Sequence, residues 1–432
     1  MEKISMENKK TSRGIIYKQK HSVHIIFLIL GMFTSSFDIF LTVNLAGFTF
    51  RIAQLFFIIP IIWMFSDFVR KKKIIVPKEG IFLILWIIMQ AFAINNSPNI
   101  GNAIGYFAWL LLDASIVWCF YYLASSKRLI LSVFKLYIES FLWMSILGII
   151  QLGLGFLGVN FFVAQMWSAR WVRINGFTYE PSYYATYLLP GWIIVMYMME
   201  NGSSIYNKKE LKIRTIIISL ALILSSSRMG WLMVILWLLV RVLIHTLSFL
   251  SGKIKRKSIT SCIVVALIGC IIILAVRYVN KKIDISFLLA GLGVLNDDVH
   301  SSGTRIDAMM RALSVFEYHP WIGVSLGGVD PFVAKVYGIV FENGMSQCVW
   351  VEVLVASGII GMIFFVLWIF SIIKNIKKKY KENIYTTELL AVMWGLVFEC
   401  IILSFNQNIL RVYFWILIGI VSAMSKLFER KV

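Results

Sequence analysis

The sequence predicts an all-α polytopic membrane protein of about twelve transmembrane helices with one large, late external loop. Three observations carry this. Apolar residues make up 59% of the 432-residue chain, and the mean hydropathy is +0.81. The apolar residues fall into about twelve stretches, each close to the ~20 helical residues that a hydrocarbon core of roughly 30 Å requires. Lys and Arg alternate between the connecting segments, as a multi-pass topology demands. Backbone polar groups in lipid must be satisfied within the segment, so the stretches are expected to be helices.

In chain order the spans read as 22–42, 46–66, 79–95, 100–123, 129–153, 182–200, 213–227, 229–248, 259–279, 347–373, 385–405 and 409–425. Residues 1–21 form a basic tail that is not a cleavable signal, because a long apolar span without a small-residue cleavage site follows it. The tail, the loops at 70–78, 127–128, 208–214, 253–257 and 374–381, and the end from 426 hold 29 of the 42 Lys and Arg. All lie on one side of a twelve-span layout, which places both termini in the cytoplasm. The division expected is therefore a tail (1–21), helices one to nine (22–279), the large external loop (280–346), the last three helices (347–425) and a short tail (426–432). Topology and anionic lipid account for the formal charge of +20 without nucleic acid. Five cysteines (Cys119, Cys262, Cys270, Cys348, Cys400) lie in or beside spans and read as free thiols. No metal-ligand spacing, Walker pattern or Rossmann glycine pattern occurs, which counts against a nucleotide-driven pump.

The sizeable hydrophilic surface is external, at about 154–181 and 280–346, and long loops in compact folds tend to carry function. The first contains Arg170, Trp171, Arg173, Asn175, Gly176, Tyr179, Glu180 and Pro181. Pro181 suits a first helical position, so Glu180 reads as the N-cap of the sixth span. External loops of this topology select against basic residues, which makes the paired arginines notable. Arg228 ends the short turn Ser225-Ser226-Ser227 near membrane depth, where a charge is a functional hypothesis by default; the alternative is snorkelling to lipid phosphate.

In the second loop, Ile306, Met309, Met310, Leu313 and Phe316 recur at helical spacing. Ser302 or Thr304 is the expected cap, with Arg305 in the first turn against the dipole. Asp307 stands at i−4 to Arg311 and is able to pair with it. His319 precedes Pro320 and reads equally as a helix end. Beyond Glu342, the tenth span begins with Trp350 and Glu352, and a carboxylate at that depth should face the protein interior. Asp38, Arg51, Lys135, Glu139, Glu399 and Arg411 lie near or in spans and are expected to pair among themselves.

The order Arg173-x-x-Gly176-x-x-x-x-Pro181-x-x-x-Ala185, then the Ser-Ser-Arg turn at Arg228, then Ser302-Gly303-x-Arg305, Pro320-x-x-Gly323 and Gly358-x-x-Gly361 resembles bacterial O-antigen polymerases and ligases. The resemblance covers about residues 165–365 and implies a GT-C-like layout with short helices in the large loop. Ligases of this kind carry a histidine about eleven residues before the glycine pair, where this chain has Gln347. That departure favours the polymerase branch. The polymerase spacing of an arginine and a glycine occurs as Arg311 and Gly327; a second copy is absent, since Thr186 and Leu189 stand at the matching distances from Arg170 and Arg173.

The resemblance implies a metal-independent glycosyltransferase without a cofactor, working at the outer face of the bacterial cytoplasmic membrane. Its substrates would be oligosaccharide repeat units on undecaprenyl diphosphate, joined into O-antigen, capsule or exopolysaccharide. A flippase and a chain-length regulator are the implied protein partners. Arg173, Arg228, Arg305 and Arg311 are the expected diphosphate ligands, because a planar guanidinium matches phosphate oxygens in pairs. Glu180, Glu352 and Glu342, in that order, are the expected general bases. External aromatics such as Trp167, Trp171, Tyr179, Tyr183 and Trp321 either stack on sugars or form an interfacial belt. A ligase and a non-enzymatic lipid-linked oligosaccharide flippase are the alternatives. A flippase should show repeated halves, and the sequence has no repeat.

Overall fold

The computed structural model describes residues 23–45, 48–72, 76–123, 127–167, 171–250, 299–340, 347–379, 385–406 and 409–426. The read span at 259–279, together with Cys262, Cys270, Arg170 and Glu342, lies outside these residues. Among the described residues the chain forms thirteen α-helices: α1 (Val23–Phe33), α2 (Ile52–Lys71), α3 (Gly80–Ala93), α4 (Ile100–Leu123), α5 (Lys127–Phe156), α6 (Pro181–Asn201), α7 (Lys208–Leu224), α8 (Arg228–Leu250), α9 (Val299–Phe316), α10 (Val329–Tyr337), α11 (Val349–Lys379), α12 (Thr386–Ile402) and α13 (Val412–Ser425). Two small antiparallel ribbons join them, β1 (Thr42–Leu45) with β2 (Phe48–Arg51) and β3 (Met166–Trp167) with β4 (Trp171–Val172).

Six helices (α2, α4, α5, α8, α11 and α12) are long and apolar enough, by length and composition, to cross a membrane, and α1, α3 and α13 are shorter apolar helices. A polytopic all-α membrane protein fits. The first read span, 22–42, is corrected: its helix stops at Phe33, and residues 42–45 pair with residues 48–51 as β1 and β2. Thr and Val at 42–43 continue the apolar run while favouring extended backbone, so hydropathy alone carried the span too far.

Each helix sits where its pattern allows. Every residue of α13 from Val412 to Ser425 is buried, as expected of a helix that is apolar all round. It packs along α4, while α6 packs along α12 and α3 along α11. Trp415 of α13 stacks on Trp86 of α3 with centroids 6.4 Å apart, and Trp368 of α11 closes on it at 5.6 Å. The Trp86 Nε1–H donates to Ser357 Oγ at 3.2 Å, giving the buried indole the polar partner it needs. Leu232, Ile235, Leu239 and Leu243 of α8 and Ile363, Val366, Leu367 and Phe370 of α11 are exposed. Apolar faces of that extent suit a lipid contact.

The helix α11 is broken at Gly358, whose φ of 63° and ψ of −172° are non-helical. A break leaves backbone groups unsatisfied, which is tolerated at membrane depth only where protein re-satisfies them. Residues 320–325 do so. The N–H groups of Val324 and Ser325 donate to the carbonyls of Val355 and Ala356 at 3.2 and 2.8 Å. The N–H of Ile359 donates to Pro320 at 2.8 Å, and that of Ile360 to Trp321 at 3.4 Å. A Cβ at Gly358 would lie 2.3 Å from the Trp321 carbonyl carbon, and one at Gly323 would lie 2.5 Å from the Ala356 backbone. The Pro-x-x-Gly and Gly-x-x-Gly motifs are thus two sides of one backbone interlock.

The helix α9 corrects two further expectations. It begins at Val299, so Ser302 and Thr304 are interior and Arg305 is past the first turn. Its buried face consists of Ala308, Ala312 and Val315, whereas Ile306 and Met310 are 56% and 59% exposed. Small residues allow α9 to approach α10 and α11 closely. Among the described residues, Cys119, Cys348 and Cys400 are free thiols.

Candidate functional site

The first motif builds a rigid loop between α5 and α6. Gln151, a lone amide in the apolar end of α5, accepts from the N–H groups of Asn175 and Gly176 at 3.0 Å each. Its Nε2 donates to the carbonyl of Phe161 at 2.9 Å. The fully buried Asn175 side chain donates to Thr178 O at 2.8 Å and accepts from Ala164 N–H at 3.1 Å. Gly176 takes a φ of +54°, where a Cβ would meet the Tyr184 ring at 3.0 Å. Both features favour glycine. Phe177 packs between Phe40 (4.8 Å, stacked) and Phe37 (4.7 Å), and its carbonyl accepts from Asp38 N–H at 2.9 Å.

This frame aims Arg173 and Glu180. Arg173 donates from its two terminal nitrogens to Gln165 Oε1 at 2.6 Å and to the Ser226 carbonyl at 3.1 Å. The second bond ties the loop to the serine turn before α8. Ser226 adopts a φ of 56°, which re-aims the chain so that Ser227 Oγ accepts from Gly230 N–H at 3.3 Å. Arg228 is then the first residue of α8, exposed, and carries its charge at the positive end of the helix dipole. Ala185 of α6 seats against Gly230, whose added Cβ would stand 3.0 Å from it. The last residue of the motif therefore sets the spacing between α6 and the Arg228 turn.

Glu180 occupies the N-cap position of α6 in extended conformation, but its side chain caps no backbone N–H. The expectation of a capping carboxylate is corrected in that respect. The carboxylate accepts instead from Ser182 Oγ at 2.9 Å. Thr178 Oγ1 lies within hydrogen-bond range of the Glu180 carbonyl at 2.7 Å. Arg305 enters from α9 and donates to the Phe405 carbonyl at 3.1 Å. The next residue, Asn406, reaches Thr186 of α6 and accepts from Val349 N–H at 2.8 Å. That places Gln347, two residues earlier, beside the same junction.

Arg173, Arg228, Arg305 and Glu180 form one electrostatic cluster drawn from three segments, the α5–α6 loop, the start of α8 and α9. Burial lowers the pKa of the Arg173 guanidinium, the charges of Arg228 and Arg305 lower it further, and Glu180 opposes them. Like charges gathered in partial burial are costly in the absence of an anion.

The other expected site residues fall elsewhere. Arg311 is six positions from Arg305, about 120° away around the helix. It forms no ion pair with Asp307 among the described residues, so that expectation is corrected. Its motif partner Gly327 is buried where a Cβ would meet the Asn102 carbonyl oxygen at 2.5 Å, and Asn102 Nδ2 donates to Gly327 O at 2.6 Å. That glycine is held by close packing. His319 packs edge-on against Phe332 at 5.6 Å.

Glu352 is buried, with Oε2 accepting from Ile409 N–H at 3.2 Å. It joins a second polar set with Asp330, Arg51 and Arg411 around Tyr106. There Asp38 bridges Arg51 at 2.7 Å and Arg411 at 2.5 Å. The Arg411 guanidinium lies 3.8 Å from the Tyr183 ring centroid and 5.7 Å from that of Tyr179, so these tyrosines, near Glu180 in sequence, pack on the second set. Pairing holds for Asp38, Arg51 and Arg411, while Glu139 pairs with Arg214 at 2.5 Å. Both carboxylate oxygens of the buried Glu399 lack a hydrogen-bond partner among the described residues. Sequence reasoning missed Gln151, Gln165, Phe405 and Asn406. Only Gln151, an amide in an otherwise apolar stretch, offered a signal.

Residues 214–366 match a family model described as O-antigen ligase. The match spans the Arg228 turn, α9 and the interlock, and it supports the O-antigen polymerase and ligase superfamily. It supports a polymerase- or ligase-type function in general. No curated protein matches the chain.

Proposed function

We propose that the chain is a polymerase joining undecaprenyl-diphosphate-linked oligosaccharide repeat units into a surface polysaccharide at the outer face of the cytoplasmic membrane. The observation that supports this most is the gathering of Arg173, Arg228 and Arg305 beside Glu180. A diphosphate is the ligand that relieves such a cluster. In this reading the acceptor hydroxyl attacks the anomeric carbon of the donor sugar. Glu180 takes the hydroxyl proton, the new C–O bond forms, and the bond to the diphosphate breaks. Negative charge then grows on the leaving polyprenyl diphosphate, where fixed cations stabilise the transition state more than the ground state. The layout proposed is twelve spans, both termini cytoplasmic, with the two long loops outside. The scheme needs no metal. Glu352 is the alternative base, Glu342 is a further one, and Arg311 plays a peripheral part. A chain-length regulator and a flippase would act alongside.

The ligase reading draws on the description of the matching family model; Gln347, where ligases carry histidine, weighs against it. The test is purified protein given undecaprenyl-diphosphate repeat units, with product length read on a gel. Ladders of polymer support the polymerase. Unchanged single units, together with long unattached polymer in a deletion strain, would establish the ligase instead.

A further inference from the structure

On the polymerase reading, we propose that the exposed stripe of α9 is the track on which the polyprenyl chain of the lipid-linked substrate lies. Arg305 points inward from α9 to the Phe405 carbonyl. Its neighbour Ile306 and then Met310 point outward and are more than half exposed, with Leu313 half-buried on the same stripe. These positions are spaced i, i+4, i+7, an apolar row about 10 Å long that begins at the residue after Arg305. Exposed Asp307 and the half-buried Arg311 and Ser314 lie on the adjacent side, so the apolar row has a polar border.

A row of this kind belonging to a loop helix has no reason to face water. Beyond α9 the chain presents Trp321 and Ile322, 64% and 37% exposed. The carbonyls of Pro320 and Trp321 hold the N–H groups of Ile359 and Ile360, whose side chains begin the exposed apolar face of α11 that runs on through Ile363. Apolar surface is thus exposed both on α9, which carries Arg305, and on α11, whose face suits acyl chains. A ligand with a diphosphate head and a long branched hydrocarbon tail fits both ends. A phospholipid shares the tail but offers the arginines one phosphodiester charge, where a diphosphate offers a larger charge over two phosphate groups.

The test is binding, which does not require turnover. Purified protein in detergent is titrated with undecaprenyl diphosphate and with inorganic diphosphate, which has no tail. Wild type is expected to favour the lipid-linked form by about tenfold or more, since each buried methylene adds favourable transfer energy. The double variant Ile306→Asn, Met310→Asn is expected to reduce that preference at least about fivefold, with inorganic diphosphate binding unchanged. Both positions are exposed, so folding is preserved. A photocrosslinking side chain at position 310 should capture labelled undecaprenyl diphosphate, and one at position 307 should not. Full preference for the lipid-linked form in the double variant overturns the track while leaving the diphosphate site intact. Capture at position 310 of labelled phospholipid that unlabelled undecaprenyl diphosphate fails to displace also overturns it, assigning the stripe to bulk lipid. Negligible binding of both diphosphates by wild type overturns the polymerase reading itself.

Discussion

Arg173 is held by two side-chain hydrogen bonds, whereas Arg228 stands exposed at a helix start. Their consequences differ. Arg228→Lys keeps the charge and loses the fork, so polymer is expected to fall at least about tenfold at normal protein level, read by gel of cell-surface glycan. Wild-type polymer from that variant would mean that Arg228 only snorkels. The lowered Arg173 pKa fixes a second expectation. A depressed basic group penalises the folded state at every pH below its own range, neutral pH included, and an anion removes the penalty. Undecaprenyl diphosphate should therefore raise the melting temperature of wild type. Arg228→Gln should melt no lower than wild type when no ligand is present, and its ligand-induced rise should be smaller. Glu180 gives a third expectation. Because its carboxylate caps no backbone amide, Glu180→Gln should cost under about 1 kcal/mol in stability. The same change should abolish polymer synthesis by the purified protein. Wild-type chain lengths would transfer the base role to Glu352 or Glu342. The cationic residues were legible in sequence because basic residues are few in the segments read as external. Their companions Phe405 and Asn406 act through main-chain carbonyls, which no residue type announces.

Among the elements, α11 and the segment that closes its break make the sharpest forecast. Gly323→Ala and Gly358→Ala each combine positive φ with a backbone clash. Each should destabilise by about 1–3 kcal/mol from strain alone, seen as a lower melting temperature and less folded protein. Gly153 in α5 is the control: nothing lies within 4 Å of an added Cβ, so Gly153→Ala should be neutral or stabilise by about 0.5–1 kcal/mol. Equal melting temperatures for all three variants would dismiss the interlock. The motifs were visible as spacing, but their meaning was not, since two glycines far apart in sequence do not reveal that each is shaped by the other's backbone. The register of α9 was misread for a related reason. Apolar periodicity marks the core-facing side only when water covers the other side. Here Ala308 and Ala312 pack inward, while the larger side chains of Ile306 and Met310 remain outside.

At the scale of the whole molecule, a polytopic all-α membrane protein fits, with six helices among the described residues long and apolar enough to cross a membrane, and a departure from the read spans occurs where apolar chain turns extended, as after Phe33. Sidedness is directly testable. In a background lacking the five cysteines, cysteine at Gln165, Leu295 or Val340 should react with impermeant reagent from outside, and cysteine at Ile75, Glu210 or Lys378 should not. Labelling at Glu210 would reject the twelve-span layout. The interlock at Gly358 also has a genetic consequence. A break in α11 is complete only when residues 320–325 occupy it, so neither segment varies on its own. Second-site revertants of a Gly358 lesion should map to that short stretch of the preceding loop, and lesions at Gly323 should be repaired from the middle of α11.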